Sequence, residues 1–538
     1  MKRSSWLVLL ALGYAILRWV LLLHPGYVAD MNAYKRWALR ASQEGIAQVY
    51  ATCDMDYPPL YAWILAPIGT AYGWIEPRAS LIWPDPADSS AATASSAAEA
   101  SSAAAASRVF NLLIKLPALL FDLGIGWLLF RLGKRADAVR SQTRPGADNR
   151  DGLPKRRRLP WSLVLPAVYL MNPVVLMDVA YWGAPDSIHS FFVLAAFLTL
   201  GFPGLLRIRL PGRRAAASAP AGDSTARQLG PLADAPDGSR NNARSAWPAW
   251  VLLTLATLMK PLGAPFFPLL LVLTVVWCGW RRVVTGGLAA MATVLIFFAP
   301  FLLAGQTATV FKRVVGDVSL MPFTSANAHN LWWALGAWKP ADSPVLGPFS
   351  LTHFGLLAFG AAYVALLGAA RRERAAARGR LAGAMGLLLS LGIVFCFFML
   401  STHMHENHLF LAIPLALALV PFDRPGERAF ALLAGALTVG VFLNLVLHDP
   451  GISARFPFTL GGPTGTKNVD VGRPFYAGEL AAIRFAVLWN LAVFAAFVWA
   501  VLRRGGLLAR LAFTSGAGSP EVPPSGGHSV PRVRRGSC

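Results

Sequence analysis

Apolar runs of roughly 17–25 residues recur along this chain, and they decide what it can fold into. "WLVLLALGYAILRWVLLL" (6–23) is one of them, and "MGLLLSLGIVFCFFML" (385–400) forms most of another. A run of that length crosses a hydrocarbon core of about 30 Å, where no water completes the backbone hydrogen bonds. The runs do not alternate apolar with polar residues, so they read as helices. Charged residues make up 14% of the chain, against about 25% in a soluble domain, and mean hydropathy is +0.49. The first run follows a basic start and lacks a small-residue cleavage site, so it is expected to be retained as a helix.

The net charge of +22 invites a nucleic-acid reading, which the distribution of charge rejects. Lys and Arg gather in short segments between apolar runs: "KRRR" (155–158), "RLPGRR" (209–214), "RRERAAARGR" (371–380) and "RR" (503–504). That is the pattern of cytoplasmic loops under the positive-inside rule. Four cysteines (Cys53, Cys278, Cys396, Cys538) show neither a disulfide framework nor zinc-ligand spacing.

Orientation turns on "YPPLYAWILAPIGTAYGWI" (57–75). Its Pro-Pro start and Trp/Tyr content suit short amphipathic pieces lying in the interface, and with that reading every basic loop becomes cytoplasmic. Spans are then expected near 6–23, 108–131, 161–178, 187–206, 247–262, 264–280, 284–303, 349–370, 381–400, 408–422, 427–447 and 481–503, about twelve by length. The expected fold is an all-α polytopic membrane protein with both termini cytoplasmic. Its transmembrane domain covers 1–513, and a long first external loop (24–107) carries short interfacial helices. Residues 85–107 form an Ala/Ser low-complexity insert, and 514–538 form a basic Gly/Ser/Pro-rich tail expected to be disordered. No internal repeat is visible.

On this map polar residues collect on the external side. The first loop holds Asp30, Asp54 and Asp56; "DVAYWGAPD" (178–186) adds Asp178, Trp182 and Asp186. Lys312, Arg313, Asp317, His329, Asn330, Trp332 and Trp333 follow, and "STHMHENHLF" (401–410) adds His403, His405, Glu406 and His408. Each has an ordinary reading as a solvated loop acid, a rigid Pro turn, an interfacial aromatic or a snorkelling lysine (Lys260). Asp122, inside an apolar run, is either a functional intramembrane acid or a structural hydrogen-bond partner. The histidines fail the zincin pattern: His405 and His408 are three apart, and His403 lies about 200° from His405 at about 100° per residue. Hydrogen bonds or positive charge offered to phosphate oxygens suit them better.

The ordered set "ADMNAYKRW" (29–37), "DYPPLYAW" (56–63), "AYWGAPDS" (180–187), "FKRVV…NAHNLWW" (311–333) and "HMHENHLFLAIPL" (403–415) carries a family resemblance. The chain resembles the GT-C superfamily of integral-membrane glycosyltransferases over residues 1 to about 503. Within it, the chain looks most similar to bacterial mannosyltransferases of the glycosylphosphatidylinositol-assembly type and to the dolichyl-phosphate-glucose-dependent glucosyltransferases. The resemblance implies a polyprenyl-phosphate-linked sugar donor, a lipid-linked or cell-envelope acceptor, and an external active site in the inner or plasma membrane. It places the catalytic base at Asp30, with Asp56 as the acid of the Asp-Tyr-Pro-Pro motif. Asp186 matches the acid of a Trp-Gly-x-x-Asp motif in which Gln is usual at Ala184. His405 and Glu406 match a His-Glu-Lys/Arg motif near the donor phosphate. Asn407 stands where that motif has its cation, so phosphate binding leans on Lys260, Arg313 or the histidines.

The expected function is inverting transfer of a hexose, mannose or glucose, with transport or lipid-linked-glycan flipping as the alternative. Asp30 and Asp56 are assigned to catalysis; His405, Glu406, His403, Lys260 and Arg313 to donor phosphate and sugar. Asp54, Tyr57, Trp182, Asp186 and Trp332 are assigned to placing acceptor and sugar. No metal ligand is assigned; the chemistry requires no cofactor and leaves room for a divalent metal. Membrane lipids are expected partners and nucleic acid is not.

Overall fold

Residues 3–76, 107–142, 159–202, 204–206, 245–316, 322–325, 327–336, 339–372, 380–423, 428–453, 456–468 and 473–503 are described by a computed structural model. The expected tail (514–538), Asp317 and all of the 85–107 insert but Ser107 lie outside these residues, as do the basic segments 155–158 and 209–214.

The described chain is helical: α1 Arg3–Leu23, α2 Val28–Gln43, α3 Pro59–Ile75, α4 Arg108–Gln142, α5 Trp161–Leu170, α6 Asp186–Gly201 and α7 Trp247–Met259. There follow α8 Phe267–Cys278, α9 Trp280–Leu303, α10 Leu351–Arg372, α11 Arg380–Leu400, α12 Ala412–Leu419, α13 Ala429–Val446 and α14 Ala477–Leu502. Two short antiparallel hairpins, Pro344–Leu346 with Phe349–Ser350 and Pro463–Asn468 with Arg473–Tyr476, are the strands among them.

This is a polytopic all-α membrane protein, but with fewer spans than the apolar runs predicted. Among the described residues seven helices are long and apolar enough to cross a bilayer, or up to nine if each of two bent pairs is one span. The expected spans 187–206, 247–262 and 408–422 shrink to Asp186–Gly201, Trp247–Met259 and Ala412–Phe422. At a rise of about 1.5 Å per residue, a 16-residue helix such as α6 reaches about 24 Å, short of the core. Polar groups bound each of them: Asp186 opens α6, Lys260 ends α7, and the His/Asn loop precedes α12. The break between α7 and α8 falls at Lys260, whose extended backbone (φ −150°, ψ 133°) precedes Pro261, as the clash of a proline with its predecessor requires.

Segment 57–75 also departs from expectation. It forms one 17-residue helix, α3, rather than short pieces. Pro58 is extended and Pro59 takes the first helical position, where its missing N–H costs nothing. Helix α3 packs on α2, which leaves α1 through a 71° turn and carries Lys35, Arg36 and Arg40. That turn and charge set α2 apart from the spanning helices.

The expected span 161–178 is broken as well. α5 ends at Leu170, a short turn follows, and Leu176–Trp182 winds as a π-helix, bent 41° overall. Gly183 closes it in the left-handed region (φ 87°). Only glycine fits there, because a Cβ would come within 2.5 Å of Met31 Sδ and 2.9 Å of Lys115 Cε. Lys115, buried on α4, donates to the carbonyls of Leu21, His24, Ala180 and Tyr181 at 2.8–3.1 Å. One ammonium thus satisfies the carbonyl ends of both α1 and the π-helix.

Candidate active site

Asp30 lies in the first turn of α2, with Tyr34 one turn later on the same face. The Tyr34 hydroxyl donates to Asp30 Oδ2 at 3.5 Å and lies 3.3 Å from the Tyr57 hydroxyl. Tyr50 fixes the Asp-Tyr-Pro-Pro segment by donating to the Tyr57 carbonyl at 2.6 Å. Tyr34, Trp37, Tyr57 and Tyr61 then pack edge to face or tilted, with centroids 5.0–6.5 Å apart. Asp30, Asp56 and Tyr57 therefore share one aromatic-backed wall.

A buried ion pair faces that wall. Lys260 Nζ donates to Asp186 Oδ1 at 2.7 Å and sits 5.8 Å from the centre of the Tyr57 ring. Asn407 Nδ2 donates to Asp186 Oδ2 at 2.8 Å. Both oxygens of a fully buried carboxylate are thus occupied, as burial of a charge demands. His189, one turn along α6, has Nδ1 3.8 Å from Asp186 Oδ1.

The third element is the 401–411 loop. His403 adopts φ 60°, the one positive-φ non-glycine among the described residues, and its Nε2 turns to Asp342 Oδ2 at 3.3 Å. The loop then carries His405 and His408 inward, where their rings meet at 5.1 Å and the His405 N–H donates to His408 Nδ1. His405 Nδ1 is 4.0 Å from Glu406 Oε2, beyond hydrogen-bonding distance. Glu406 is buried, and its carbonyl accepts from Asn444 at 2.6 Å.

Exposure and surroundings together define the shape. Asp30, Tyr57, His405 and His408 are half-buried and Asp56 is exposed, yet protein packs densely around all of them. Groups that water reaches but protein surrounds line a concavity. That crowding, with the charge of Asp56 adding to it, pushes the Asp30 carboxyl up to about 7; Lys260 pulls the other way. Desolvation lifts Asp56 to about 6. His405 is pushed down to about 4 by desolvation, with Lys260 and His403 adding to it, so it is neutral at pH 7. It can donate a hydrogen bond to phosphate but brings no charge, which narrows the expectation for it. The recess can therefore supply a base that titrates near neutrality, one buried lysine, neutral imidazoles and an aromatic floor.

Of the expected site residues, Asp30, Asp56, Tyr57, Asp186, Lys260 and His405 interact with one another, and Glu406 adjoins His405. The others go elsewhere. Asp54 turns out to Arg36 and Trp37 Nε1, and His403 pairs with Asp342. Trp182 donates its indole N–H to Asp449 Oδ2 at 2.8 Å, and Trp332 donates to the Leu400 carbonyl at 2.7 Å. Arg313 lies on the π-helical turn Lys312–Gly316. Asn407, where the resembled motif has a cation, holds Asp186 instead. Tyr34, Tyr61 and His189 belong to the recess and were not expected; Tyr34 alone had a signal, its i+4 spacing from Asp30. Among the described residues no group of three or more His, Cys, Asp or Glu is disposed to hold a metal ion.

No protein-family model matches this chain, and no curated protein matches it.

Proposed function

We propose that this protein is an integral-membrane glycosyltransferase that moves a hexose from a polyprenyl-phosphate-linked donor to a hydroxyl of a lipid-linked or cell-envelope acceptor, with the recess on the external side. The observation that carries the reading is the Asp30 carboxyl, titrating near 7 in a water-accessible recess beside the Lys260 ammonium. In the proposed step the acceptor oxygen bonds to the anomeric carbon as the bond from that carbon to the phosphate oxygen breaks. The acceptor proton passes to Asp30, and the electron pair leaves on polyprenyl phosphate, inverting the centre. Lys260 and the neutral His405 supply the positive charge and hydrogen bond for the phosphate as its charge grows. Tyr57, half-buried against Tyr34 and Tyr61, presents an apolar ring to the C–H face of the sugar. Asp56 places the acceptor.

The test uses purified full-length protein with synthetic polyprenyl-phosphate mannose and glucose, and membrane lipid extract as the acceptor source. Release of polyprenyl phosphate coupled to glycosylated lipid is expected, and Asp30→Asn should remove it. Transfer untouched by Asp30→Asn sinks the assigned base; no transfer from either donor sinks the reading.

A transporter or lipid-linked-glycan flippase is the second reading. One feature favours it: Asp178 is fully buried on the broken span, with neither carboxylate oxygen bonded among the described residues. Movement of intact donor across proteoliposomes, without release of polyprenyl phosphate, would select it.

A further inference from the structure

Away from the recess, an open groove of about 310 Å³ runs between the start of α13 and the end of α14. Leu432, Leu433 and Ala436 line one side, Val493, Phe497 and Ala500 the other, and Arg503 stands at its end. The two helices run antiparallel here, so Arg428, immediately before α13, marks the same end. We propose that this groove binds one acyl chain of an anionic phospholipid, with the headgroup between Arg428 and Arg503.

Length, chemistry and charge argue for that occupant. Residues 493–503 cover about 15 Å of helix, half of a core of about 30 Å, so the groove is one leaflet deep. Its walls are apolar, and the alanines lower the surface enough for a chain to lie between the helices. Trp499, 67% exposed and one turn from Arg503, sits where interfacial tryptophans sit. Both guanidinium groups are exposed, and neither has a partner among the described residues. Of the two acids just before α13, Glu427 lies outside the described residues and Asp423 is engaged in capping α13 through the N–H groups of Phe430 and Ala431. Two cations at the interfacial end of an apolar slot match one negative headgroup over one chain. A zwitterionic lipid brings its own ammonium and gains less. By the charge map this is the cytoplasmic leaflet, where anionic lipids attract basic residues.

The experiment is native mass spectrometry of the delipidated full-length protein, titrated with phosphatidylglycerol or phosphatidylcholine of the same acyl chains. Phosphatidylglycerol is expected to bind about tenfold more tightly. R428Q/R503Q should bring it down to the phosphatidylcholine level, while A500F, which fills the slot, should weaken both lipids. Equal affinity of the two lipids for the wild type overturns the proposal. So does phosphatidylglycerol binding unchanged by R428Q/R503Q or by A500F, or its displacement by equimolar soluble glycerol phosphate. The readout is binding alone, so the proposal stands or falls apart from sugar transfer.

Discussion

Asp122 and Asp30 are both acids set into this protein, and they are dressed in opposite ways. Asp122 is fully buried and closed in a network. Tyr169 donates to its Oδ1 at 2.7 Å and Arg18 to its Oδ2; Arg18 also bonds Tyr14, which donates to the Leu170 carbonyl. That network ties α1, α4 and α5 together. Among the described residues Asp30 has a single long bond, from Tyr34; it is half-buried, with the like charges of Asp56 and Asp186 nearby. A buried acid whose oxygens are both held by the protein ties helices together; an under-partnered one that solvent reaches is free to accept a proton from a bound hydroxyl. The contrast separates the two readings that any acid in a membrane protein invites.

That contrast can be broken by experiment. The largest expected effect is on Asp30: Asp30→Asn should lower kcat for sugar transfer by about 10²–10⁴-fold with thermal unfolding unchanged. Asp122→Asn should do the reverse, lowering stability by about 3–5 kcal/mol in denaturant unfolding because it strands Arg18, while turnover per folded molecule persists. Equal losses of kcat in the two variants would erase the distinction. Next comes the cation: Lys260→Met should cost about 10²–10³-fold in kcat/KM, and Asn407→Lys in that background should recover part of it. A double variant no better than Lys260→Met would show that Asn407 does not face the phosphate. The smallest effect is in the pH profile. The base must be ionised, so activity should fall about tenfold per unit as pH drops below about 7 and level off above it. Tyr34→Phe removes a bond to the ionised carboxyl and should move that inflection upward, whereas Asp122→Asn should leave it in place.

Run length read the helices of this chain well where the run is a true span, as at Trp280–Leu303 and Gly383–Leu400. It overcounted where polar groups cut a run short of the bilayer. The proline after Lys260 was a visible stop signal, and so was Asn172-Pro173 at the second break; the π-helical winding of Leu176–Trp182, which carries Asp178, had none. Along the site, local spacing located the acids and histidines but not their partners. Lys260 and Asp186 are 74 residues apart and Asn407 and Asp186 are 221 apart, and nothing in a single sequence encodes such pairings. Trp182 and Trp332 illustrate the converse: their motifs stand out, yet each indole is engaged by the protein itself.

The Lys115 ammonium has a consequence for how this chain can vary. By gripping carbonyls just before α2 and just before Gly183, it fixes the approach to Asp30 and the approach to Asp186 against one point on α4. The alignment of the two acids is therefore set by non-covalent contacts to one side chain of α4. A substitution at Lys115 thus disturbs both acids at once although it touches neither.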